Sequence, residues 1–177
     1  MDLLKILSEN YSFMFSGRVN ILSKVSKQYL GAIIQSNGKI VNTKYLNLSG
    51  KKALASILME LKSNKALSFV SEPEVVLSGD HVFEMTEGQF LKFKNDYFEQ
   101  YDELNKLRPS NNLKIAIDSA GFNFNISLSK IEFDVLCSII DNSVVKDIYH
   151  NSDLLDFDIT TALISLRKKG VLRVLRN

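Results

Sequence analysis

Two histidines, one cysteine and a run of acids are the residues on which covalent or metal chemistry could rest. His81 and His150 lie far apart, and neither stands at metal-ligand spacing from a Cys, Asp or Glu. His150 falls at the end of an expected helix, where a cation beside the carbonyl terminus is favourable. Cys137 follows Phe133 by four residues and Leu136 by one. That spacing puts it on an apolar helix stripe and predicts a buried structural thiol with no base to activate it. Asp153, Asp156 and Asp158 surround a helix N-terminus, where carboxylates stabilise the helix dipole. Gly50-Lys51-Lys52 lacks the full spacing of a phosphate-binding loop. No Gly-x-Ser-x-Gly elbow occurs. An acidic receiver pocket would need a parallel α/β sheet, which the patterning does not offer. The expectation is a chain with no catalytic residue, no metal site and no cofactor.

Recognition is the remaining chemistry. Arg18, Lys24 and Lys27, with Lys39 and Lys44, fall on strands and turns of one expected sheet. They could face an acidic protein surface. Aromatic residues are not interleaved with them, which disfavours a stacked nucleotide. A second basic group, Arg167, Lys168, Lys169, Arg173 and Arg176, lies near the C-terminus and supplies the candidate contacts for DNA. A DNA-reading helix needs basic or amide side chains at its N-terminal end. The N-terminal end of the helix in question carries three carboxylates instead, Asp153, Asp156 and Asp158. Residues 127–177 are also neutral overall, whereas a DNA-binding domain carries a basic face.

The elements that must position these residues follow from periodicity. Leu3, Leu4, Ile6 and Leu7 predict a first helix over 2–9. Strands are expected over 15–22, 28–35 and 39–46, and two of them flank a Ser36-Asn37-Gly38 turn of hairpin type. Ser49 is placed to cap a helix over 50–62, with Ala53, Leu54, Ile57, Leu58 and Leu61 on one stripe. A strand over 66–70 follows. Thr86-Glu87-Gly88-Gln89 has capping-box spacing and opens a helix that Pro109 must stop. Its stripe of Phe90, Phe93, Tyr97, Phe98, Tyr101 and Leu104 must pack on a domain or seam a homodimer. Pro109-Ser110-Asn111-Asn112 reads as a linker. A second hairpin is expected from strands over 113–117 and 122–128. Helices over 130–140, 144–150 and 156–169 follow, opened by the Ser129–Glu132 capping box and by Ser143, and the last stops at Gly170. A closing strand spans 171–175. These helices and strand make a helix-turn-helix of winged-helix type.

The fold class expected is α+β: an N-terminal antiparallel sheet with helices over 1–80, a long linking helix and linker over 81–112, and a hairpin plus winged-helix-like domain over 113–177. With 177 residues, 45% of them hydrophobic and 24% charged, the chain is ordinary for a globular protein. Its formal charge of +2 implies neither nucleic acid nor membrane. The charge is uneven: residues 1–80 net +4, 81–126 net −2 and 127–177 net zero. One cysteine excludes an internal disulfide and fits a reducing cytoplasm. No signal peptide is read at the start. No apolar run approaches the roughly 18–20 residues of a membrane span, so membrane insertion is not expected.

Residues 1–76 resemble the PATAN-like family, a domain of unknown function in bacterial signalling proteins. The matching residues are Ser16-Gly17-Arg18-Val19, Gly31, Gly38-Lys39-Ile40-Val41, Gly50, Ala53-Leu54 and Leu67-Ser68-Phe69. Residues 129–175 look like a small helical domain that often follows such modules. The run there is Glu132-Phe133-Asp134-Val135-Leu136, Val145-Lys146-Asp147-Ile148 and the stretch from Ala162-Leu163 to Gly170-Val171-Leu172. The resemblance implies protein–protein docking beside response regulators and motility-control components. The function expected is a non-enzymatic adaptor that binds another protein in a bacterial signalling or motility-control pathway. The alternative is a transcription regulator that binds DNA through its C-terminal domain.

Overall fold

The computed structural model describes residues 2–63, 66–121 and 126–175. The chain divides into two compact units, Met1–Tyr97 and Phe98–Asn177.

The first unit opens with helix α1 (Leu3–Ser12), whose N-cap Asp2 accepts a hydrogen bond from the Leu4 amide at 3.2 Å. Strands β1 (Gly17–Ser23), β2 (Tyr29–Ser36), β3 (Lys39–Tyr45) and β4 (Leu48–Ser49) follow, then helix α2 (Gly50–Lys62) and strand β5 (Leu67–Pro73). They form one antiparallel sheet in the order β4-β3-β2-β1-β5. The β2–β3 connection is the tight turn that Asn37-Gly38 implies, with φ of 49° and 77°. Its closure is reinforced from two sides. Gln35, fully buried, accepts from Asn10 Nδ2 at 2.7 Å and donates to the Gly38 carbonyl at 3.3 Å.

Cross-strand register aligns Val19 with Ile33 and Thr43, and Ile21 with Gly31 and Tyr45. Of these, Val19, Ile21, Ile33, Thr43 and Tyr45 are at most 1% exposed. Leu3, Ile6 and Leu7 of α1 and Ala53, Leu54, Ile57 and Leu58 of α2 are buried with them. Ala32 and Ile34 point to the other face of the sheet and are equally buried. A strand covered on both faces has no reason to alternate, which is why β2 reads as a near-continuous apolar run. Gly31 is required where β2 and β3 approach. At φ +156°, a Cβ there would lie 2.1 Å from the Lys44 carbonyl oxygen. Ser49 does occupy the N-cap of α2, but its side chain makes no capping hydrogen bond.

Helix α3 (Glu87–Leu104) begins where the capping box predicts. Thr86 N donates to Gln89 Oε1 at 2.8 Å, and Gln89 N to Thr86 Oγ1 at 3.4 Å. The helix tightens into a 3-10 turn over Asn105–Leu107 just before Arg108 and Pro109.

The second unit contains strand β6 (Ile115–Ile117), helices α4 (Lys130–Asp141), α5 (Val145–Asn151) and α6 (Asp156–Lys168), and strand β7 (Leu172–Val174). Three local expectations are corrected here. The hairpin of 113–117 with 122–128 does not form among the described residues. Ile126, Ser127 and Leu128 are not strand, and residues 122–125 lie outside the description. β6 pairs antiparallel with β7 instead, Ile115 opposite Val174 and Ile117 opposite Leu172. The physical gain is burial: Ile115 and Leu172 enter one core with Val135, Ile139, Ile148, Ile159 and Leu166. The N-cap of α5 is Val144, not Ser143. Ser143 serves the strands, its carbonyl accepting the Ile115 amide at 2.8 Å while Lys114 bridges Val144. Finally, Cys137 is exposed. The core-facing stripe of α4 is Glu132, Val135, Leu136 and Ile139, which turns Phe133, Cys137 and Ile140 outward.

Gly170 ends α6 as expected, with φ of +76°. The Gly170 amide donates to the Arg167 carbonyl and the Val171 amide to the Leu166 carbonyl, both at 3.0 Å. That is the Schellman pattern, and its accompanying apolar pair, Leu166 and Val171, is fully buried.

Candidate functional site

In the first unit, the basic side chains do not converge. Arg18 of β1 forms an ion pair with Glu74, just beyond β5, and Asn20 donates to Glu72 of β5 at 2.7 Å. Arg18 and Asn20, alternate positions of β1, thus meet carboxylates on and just beyond the edge strand. Lys39 pairs with Glu84 at 2.7 Å, and that contact holds the Glu84 carboxyl below its ordinary range. Lys24 and Lys27 are exposed on the β1–β2 connection, beside Val25, which is 86% exposed.

The seven residues of β5 run in unbroken register with β1 from Ser23 opposite Leu67 to Gly17 opposite Pro73. β5 is the end strand of the sheet, so among the described residues its outer edge has no partner strand. Phe69 turns inward and Val70 outward, at 45% exposed. Natural edges are commonly blunted by Lys, Pro or a bulge. Here the central Ser68, Phe69, Val70 and Ser71 carry none of these.

The aromatic residues of α3 divide by burial. Phe90 and Tyr97 are 1% and 6% exposed, and Phe93 and Tyr101 are half-buried. The Phe93 and Tyr97 rings stack with centroids 6.0 Å apart.

In the second unit, an interaction network absent from the sequence reading centres on Arg108. Its guanidinium donates to Asp156 Oδ2 at 2.7 Å and lies 3.9 Å from the centre of the Tyr149 ring. Thr160 Oγ1 donates to the Asp156 carbonyl at 2.8 Å, so the 2.6 Å contact with Tyr149 must carry the tyrosine's proton toward Thr160. Burial raises the Tyr149 hydroxyl above its ordinary pKa. An arginine ahead of Pro109, outside any periodic segment, gave no sign of this role. Asp156 is therefore an ion-pair partner as well as a helix-start acid. Asp158, beside it, is shifted upward by burial.

The C-terminal basic residues separate into different roles. Lys169 is committed: it donates to both oxygens of Glu132, at 2.6 and 2.8 Å, and to the Ser127 carbonyl at 2.8 Å. Lys168 is exposed. Arg167 and Arg173 are brought to the rim of one apolar pocket. Arg176 lies outside the described residues.

Among the described residues no group of three or more His, Cys, Asp or Glu could hold a metal ion. None of the described helices is long and apolar enough to cross a membrane. Comparison with protein-family models, curated proteins and solved structures found no match to this chain.

Proposed function

We propose that this chain is a non-enzymatic adaptor that docks another protein, by addition of a partner strand to β5. The carrying observation is the edge itself: among the described residues its seven positions are paired on one side only, with Val70 exposed at the centre. Such an edge offers main-chain donors and acceptors for affinity and alternating side chains for selectivity. The PATAN-like resemblance of residues 1–76 supports the same reading and points to a partner in bacterial signalling or motility control. The winged-helix resemblance of residues 129–175 is supported by the order of three helices followed by the short strand β7. Among the described residues the strand paired with β7 is β6, which precedes the helices.

DNA binding by the second unit has less support. Lys169 is held by Glu132, and α6 starts with carboxylates where a reading helix needs donors.

The test is a photo-crosslinking residue at Ser71, compared in the wild-type background and with Val70→Lys, which adds a charge at an exposed edge position without touching the core. One crosslinked protein of defined mass, lost with V70K, is expected. Crosslinking unaffected by V70K, or none at all, overturns strand addition. Salt-dependent retention of DNA by the intact protein would favour the regulator reading.

A further inference from the structure

We infer that the pocket under Arg167 and Arg173 in the second unit binds a small carboxylate with an apolar body about the size of one aromatic ring. The pocket encloses about 190 Å³. A cavity of about 150 Å³ lined by apolar side chains is large enough to take benzene. Its walls include Leu113, Ile115, Val145, Leu163 and Leu172, drawn from β6, the approach to it, α5, α6 and β7. These are core positions of the unit, so the walls are fixed by the fold rather than by mobile surface groups.

Among the described residues, the polar side chains in the lining are the two arginines. Arg167 sits on the last turn of α6 and Arg173 on β7, opposite Ala116. Both are exposed, and neither has an ion-pair partner among the described residues. Among the described residues no carboxylate lines the pocket. Two cations without a counter-ion above an apolar floor are complementary to a molecule that is anionic at one end and apolar at the other. The fork of a guanidinium matches the two oxygens of a carboxylate. A nucleotide fits poorly, because among the described residues the lining offers no side-chain acceptor for the donor groups of a base or a sugar. Arg167 and Arg173 thereby acquire a use that does not involve a phosphate backbone.

The probe is 3-phenylpropionate, titrated into the full chain by calorimetry, with 3-phenylpropanol as the uncharged isostere. Methyl resonances of Leu163 and Leu172 report the place of binding. Saturable one-site binding of the acid is expected, with those methyl signals shifting. The alcohol, and the acid against Arg167→Gln or Arg173→Gln, should each bind about tenfold or more weakly, as loss of a charged hydrogen bond implies. Both arginines are exposed, so the variants leave the core untouched; unchanged melting curves verify this. No saturable binding, equal affinity for acid and alcohol, or an unaffected R167Q/R173Q double variant overturns the inference. A short peptide ending in a free Phe carboxylate that binds more than about tenfold tighter than the acid also overturns it. That result would assign the pocket to a protein chain terminus.

Discussion

Lys169, one residue past the end of α6, grips both carboxylate oxygens of Glu132 in the first turn of α4, at 2.6 and 2.8 Å. The same Glu132 accepts the Ser129 amide at 2.7 Å and closes the capping box. One side chain therefore both starts a helix and ties it to the end of another.

The clamp makes the second unit acid-sensitive. The Lys169 hydrogen bond, followed by that from the Ser129 amide, lowers the Glu132 pKa from 4.5 to about 2. The folded state holds the charged form more tightly than the unfolded state does. Its stabilisation is complete above pH 4.5 and is lost as pH falls toward about 2. Glu132→Gln keeps a capping-box acceptor but loses the charge. It should cost about 1–3 kcal/mol at neutral pH, and urea melts of the variant should lose this acid-dependent component.

Gly31→Ala should unfold or severely weaken the first unit. The added methyl would meet the Lys44 carbonyl oxygen at 2.1 Å and Tyr45 Cα at 2.8 Å, both backbone atoms that cannot step aside. A loss of about 3 kcal/mol or more is expected from urea melts. Gly88→Ala is the matched control, because nothing lies within 4 Å of where its methyl would sit and the residue belongs to α3. It should stabilise by about 0.5–1 kcal/mol. Equal effects of the two variants would contradict the close β2–β3 approach.

Thr160→Val removes the acceptor of the Tyr149 hydroxyl inside a buried pair, the two residues being 2% and 4% exposed. The pair's 2.6 Å hydrogen bond is lost, together with the Thr160 donation to the Asp156 carbonyl, at a cost of about 1–3 kcal/mol. Tyr149→Phe in the T160V background should cost less than Tyr149→Phe alone, since the Thr160 contact is already gone. A double-mutant cycle on thermal melts gives the coupling, and additivity would refute the contact.

Cys137 should react with a thiol reagent such as Ellman's in the native protein, without denaturant, because its side chain lies on the outward face of α4. A thiol that reacts only on unfolding would restore the buried assignment.

Much of the local structure was legible in the residues themselves. The Asn37-Gly38 turn, the Thr86 and Ser129 capping boxes and the Gly170 stop are interactions over three to five residues, so a short stretch of chain contains both partners. The α+β class followed from the same local patterns. What tertiary structure alone decided is long-range. Residues 115–117 could pair with a neighbour or with the chain's end, and burial of Ile115 with Leu172 selected the end. Helix α4 carries apolar residues around most of its circumference, from Ile131 through Ile140, so spacing could not choose which side faced the core. Cys137 went outward because Val135, Leu136 and Ile139 went in. The same holds for Arg108 over Tyr149, Lys169 on Glu132, and Arg167 beside Arg173. The partners of Arg108 and Lys169 are distant in sequence, and Arg167 and Arg173, though near in sequence, share a pocket only because β7 folds back beside α6.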